Sequence, residues 1–147
     1  MAILAGECDL TMLNAGHEIV ALDRGCTVVG RADEIGPYIG SVLATLGNEP
    51  TGDLERLERV LREVSAAIVD GSLEAPARAA SSTMLGLSVR HAAQHVAVMR
   101  DSRHGLVPSG IVDADSIDTV LTLRERFLPS PALDRARADW RGMLVAQ

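Results

Sequence analysis

The chain is 147 residues long, carries a formal net charge of −6 and is 47% hydrophobic. A chain of this length suits one domain with a packed core, burying roughly 68–70% of its unfolded surface. The acidic balance, with a pI near 5.1, excludes the basic face of a phosphate-backbone binder, and three aromatic residues (Tyr38, Phe127 and Trp140) offer little for base stacking, so no nucleic-acid partner is expected.

All 14 basic residues are Arg, which favours Arg-made ion pairs with carboxylates. No apolar run approaches the ~20 residues of a membrane span. The first residues lack a charged region followed by an apolar one, so no signal peptide is read there. Cys8 and Cys26 stand at a spacing that fits no common metal motif and are read as two buried free thiols, with a bridge between them as the alternative in an oxidising compartment.

In chain order, Ala2 to Ala5 reads as the last turn of a helix closed by Gly6. Leu10 to Leu13, Thr27 to Val29 and Ser41 to Leu46 are short apolar runs bounded by glycine or polar residues, the marks of buried strands. Between the first two, His17 to Arg24 carries Ile19, Val20 and Leu22 and is followed by Gly25, which predicts a helix.

Beyond Pro50 the rhythm becomes helical. Leu54, Leu57, Val60, Leu61, Val64 and Ile68 form a stripe at spacings of three and four, with Asp53 as cap and Gly71 as stop. Pro76 suits the first turn of a second helix that ends at Gly86. Ser88 caps a third through Met99, Asp113 or Asp115 caps a fourth stopped by Pro129, and Ser130 and Pro131 open a fifth containing Leu133, Ala136, Trp140 and Leu144. The expected fold class is therefore α/β, with short strands in the first third and a helix-rich remainder, in a single domain over residues 1–147.

No catalytic motif emerges. His91 and His95 form H-x-x-x-H, but the position of the zincin glutamate is Ala92 and no fourth ligand presents itself, so no metal site is expected. Cys8 lies between Glu7 and Asp9, a setting that disfavours a thiolate nucleophile. Asp113, Asp115 and Asp118 read as helix-start carboxylates. Asn14-Ala15-Gly16-His17, between an expected strand and a helix start, is the candidate binding stretch, because first-turn N–H groups there can take an anion. Asn14 as a plain helix cap is the alternative.

The order of these features resembles the solute-binding proteins of nitrate-, sulfonate- and taurine-type ABC importers, including the thiamine-pyrimidine precursor group. Ala2 to Leu13 (AILAGECDLTML) resembles that family's helix end, Gly-Glu turn and Asp-led strand; Asn14 to Gly25 resembles its following helix; Gly30 to Leu46 its return strand and crossover; and Gly110 to Leu128 its C-terminal helices. The resemblance spans residues 2–128. It implies a partial type II periplasmic-binding-protein-like fold, corresponding to the C-terminal half of a two-lobed receptor with the other lobe missing. It also implies that Asn14, Gly16 and His17 face a ligand cleft with Tyr38 near the hinge.

Function then reads as binding of a small organic anion or heterocycle, without cofactor and without catalysis. Alternatives are a helical protein-interaction module, or a pyrimidine-synthase-like enzyme in which His17 is the one candidate catalytic group. Family members are extracytoplasmic. Uncovered apolar strands imply a homodimer, or a partner lobe, meeting at the N-terminal strand region and not at the charged face of the Asp53–Asp70 helix.

Overall fold

The computed structural model describes residues 1–36 and 52–134. Five α-helices appear among them: α1 (His17–Asp23), α2 (Gly52–Asp70), α3 (Glu74–Leu85), α4 (Val89–Met99) and α5 (Ala114–Phe127). Single 3₁₀ turns cover Ala2–Ala5 and Ala32–Ile35.

The expectation of an α/β fold is overturned, because no strand forms among the described residues. Leu10 to Leu13 and Thr27 to Val29 run without ladder partners, and Leu10, Met12 and Val29 are 68%, 90% and 79% exposed. A strand is stabilised by its neighbour's N–H and C=O groups and by cross-strand side-chain pairs. Apolar β-branched runs announce that a segment could pair; they do not supply the partner. The partial periplasmic-binding-protein-like architecture falls with the strands. The expected strand at Ser41 to Leu46 lies outside the described residues.

Helix boundaries follow local chemistry. The Ser88 hydroxyl accepts the His91 N–H at 3.2 Å and opens α4. Of the two proposed caps for α5 the structure uses Asp113, whose Oδ2 accepts both the N–H and the hydroxyl of Ser116 at 2.8 Å. Asp53 is not a cap: α2 begins at Gly52, so Asp53 lies in the first turn and complements the dipole there. Pro76 is the third residue of α3, still within the turn whose N–H groups lack intrahelical partners. Gly71 and Gly86 end α2 and α3 with positive φ. Ser130 and Pro131 do open a further helical turn, with Ser130 Oγ accepting the Leu133 N–H at 3.3 Å; Ala136, Trp140 and Leu144 lie outside the described residues.

The chain divides into two compact units. The first comprises Met1–Val29 and Glu49–Gly110. Its hub is α4, which packs against α1, α2 and α3, while α2 also meets α3. The buried apolar side chains here are those of Ala21, Ile68, Leu87, Ala92 and Val96. Arg100 ties the α2–α3 corner to the end of α4, donating from Nε to the Val69 carbonyl at 3.3 Å and pairing with Glu74. The second unit comprises Gly30–Asn48 and Ile111–Gln147, with α5 as its main described element and Ser116 buried.

Candidate functional site

The Asn14–His17 stretch forms a tight turn into α1. The His17 N–H donates to the Asn14 carbonyl at 3.1 Å, and His17 Nδ1 lies 3.3 Å from the same oxygen. Asn14 therefore acts through its carbonyl, and the helix cap is Gly16, which makes no side-chain cap bond. Ala15 has φ 54 and Gly16 φ 85. Ala15 is the one non-glycine residue with positive φ among those described, a conformation that is unfavourable for an L side chain by about 1–2 kcal/mol.

What holds the turn in place is close packing. Gly16 is buried, and a Cβ there would lie 2.8 Å from Leu87 Cδ1 and 3.1 Å from the His95 ring. Of the four residues expected to bind ligand, Gly16 thus faces α4 and the protein interior. Asn14 is exposed, His17 is half-buried, and Tyr38 lies outside the described residues.

The two histidines of H-x-x-x-H do not converge. His91 turns to α1, with Nε2 3.2 Å from Asp23 Oδ2, and Arg90 pairs with the same oxygen. The His95 ring packs on Gly16 with Nδ1 buried and without a hydrogen-bond partner. No group of three or more metal-ligating side chains occurs among the described residues. His104 is held locally, its Nδ1 3.1 Å from Asp101 Oδ1.

Four carboxylates among the described residues, Asp23, Asp70, Asp101 and Asp113, are held below their ordinary range. Asp23 is lowered first by its hydrogen bond with Arg90 and then by that with His91. Asp101 is lowered first by the backbone N–H of His104 and then by that of Arg103, which makes it a turn-forming group. Asp113 is lowered first by the Ser116 hydroxyl, as a cap should be. Cys8 and Cys26 are free and half-buried.

Asp23 is the residue that sequence reasoning missed. It closes one end of a groove between α1 and α4 lined by Ile19, Leu22, Asp23, Gln94 and Val98. Sixty-eight positions separate Asp23 from His91, and no local spacing announces such a pair. In the second unit, a groove beside α5 is lined by Ile35, Asp115, Asp118, Thr119, Thr122, Leu123 and Arg126. Its hydroxyls and carboxylates include groups engaged in the helix itself, such as Thr119 Oγ1 donating to the Asp115 carbonyl at 2.9 Å.

No described helix is long and apolar enough to cross a membrane. Comparison with protein-family profiles, curated proteins and solved structures gave no match.

Proposed function

We propose that this chain is a small-molecule binding module, with the Asn14–His17 turn as its ligand-facing element. The observation that supports this reading is the strain at Ala15. A residue held at positive φ without being glycine needs surroundings that over-determine it, and such strain concentrates at ligand clamps. Here the surroundings are the Gly16 contacts with Leu87 and His95. They present Asn14 and the His17 imidazole side by side at the surface.

A thermal-shift panel of small carboxylates, sulfonates and pyrimidines tests the reading. A stabilising ligand is expected, and His17→Ala should abolish its shift while leaving the unliganded melting temperature nearly unchanged. If no compound in the panel shifts the wild-type protein, the binding-module reading is wrong.

A second reading, a protein-interaction module, is favoured by α2. Leu57, Val60, Leu61 and Val64 lie along one side of that helix and are 45%, 43%, 46% and 41% exposed. Spacings of three and four from Leu54 through Ile68 make a narrow seam of the kind that pairs with another helix. Circular dichroism and pull-down with a Leu57→Glu/Leu61→Glu variant separate the two readings, because that variant should keep small-molecule binding and lose only protein association.

A further inference from the structure

The groove between α1 and α4 is lined from α1 by Ile19, Leu22 and Asp23, and it uses none of the residues of the Asn14–His17 turn. Its walls are apolar: Ile19 is half-buried, and Leu22 and Val98 are 50% and 44% exposed. Its polar groups are the Asp23 carboxylate and the exposed Gln94 amide. Both bonds recorded at Asp23, from Arg90 and His91, fall on Oδ2. The other oxygen, Oδ1, remains available as an acceptor. Arg90 is 61% exposed in its pair with Asp23, and an exposed pair of that kind contributes little and is readily exchanged. The chain's formal net charge of −6 raises the local concentration of cations over anions.

We propose that this groove binds a small organic cation with a flat apolar body, an amidinium or aryl-ammonium group. The N–H donors reach Asp23 Oδ1 and the Gln94 side-chain carbonyl, and the hydrocarbon face lies against Ile19, Leu22 and Val98. The cation adds a charge-assisted hydrogen bond at Oδ1 beside the half-exposed Leu22 and Val98, and the exposed Arg90 contact at Oδ2 is free to give way to it.

Benzamidine, benzamide and benzoate test the proposal, since they share one ring and differ in charge. Titrated into the whole chain and followed by backbone amide chemical shifts, benzamidine is expected to move Ile19, Leu22, Gln94 and Val98. Benzamide should bind more weakly and benzoate should not bind. Asp23→Asn should weaken benzamidine by about tenfold or more. Val98→Arg, a change at an exposed position that fills the groove and adds a positive charge, should abolish binding without unfolding the protein. Arg90→Ala should tighten it, because the competing cation is gone. Equal response to all three compounds, binding unaffected by Asp23→Asn and Val98→Arg, or no benzamidine binding in the millimolar range would each overturn the proposal.

Discussion

Ala15 and Gly16 are adjacent, both at positive φ, and they call for opposite substitutions. Gly16→Ala places a methyl 2.8 Å from Leu87 Cδ1 at φ 85, so both strain and overpacking oppose it. A loss of about 2–3 kcal/mol is expected, read as a shift in urea midpoint. Ala15→Gly relieves the left-handed strain and should stabilise by about 0.5–1 kcal/mol in the same measurement. If the strain serves ligand binding, the more stable variant should bind less tightly. Asp23 makes a pH prediction. Its folded pKa lies below its unfolded value, the cause being first the Arg90 bond and then that of His91. Its stabilising contribution is therefore complete above the unfolded value of about 3.9 and is lost as pH falls through the lowered folded value. Thermal melts of wild type and Asp23→Asn should differ at neutral pH and converge in strong acid; a constant difference down to the most acid point would refute the linkage.

At the scale of elements, the cap of α5 is the cleanest test. Asp113→Ala removes the acceptor of two Ser116 bonds and should lower stability by about 1 kcal/mol, with the loss confined to amide exchange in α5. The turn after α4 offers a second. A Cβ on Gly105 would fall well inside van der Waals contact of the Met99 and Asp101 carbonyls, which are backbone and cannot rotate away. Gly105→Ala is expected to destabilise by about 2–3 kcal/mol in chemical denaturation, whereas Gly86→Ala, with open space around its Cβ, should lose only the smaller left-handed term. Helix ends such as Ser88, Asp113 and Gly86 were legible in the sequence because capping uses groups three or four residues apart. Nothing in the sequence distinguished Gly105 from Gly86, since the atoms that crowd Gly105 come from the path of the returning chain. The Asn14–His17 turn was legible as a position, but the inward-facing role of Gly16 was not, because Leu87 and His95 lie far along the chain.

For the whole molecule, the exposed apolar surface has a consequence for association. Leu10, Met12, Val28 and Val29 are 68%, 90%, 47% and 79% exposed near the start of the chain. Burial at about 25 cal/mol per Å² favours association before its entropic cost is counted. Light scattering at micromolar concentration is expected to give a mass above 15.6 kDa, falling toward the monomer value in a Met12→Ser/Val29→Ser variant. A monodisperse wild-type species at the monomer mass would show that these side chains tolerate water. The sequence by itself determined several helix ends, such as those at Ser88, Asp113 and Gly86, the chain's acidic balance and the amphipathic stripe of α2, because each depends on composition or on residues within a turn or two of one another. Only the tertiary structure decided that Leu10 to Leu13 and Thr27 to Val29 are not strands, that Asp23 meets Arg90 and His91, and that Gly16 and not Asn14 anchors the turn. Those outcomes depend on which distant segment supplies the partner atoms, and a run of residues read alone carries its own pairing capacity without specifying what it will meet.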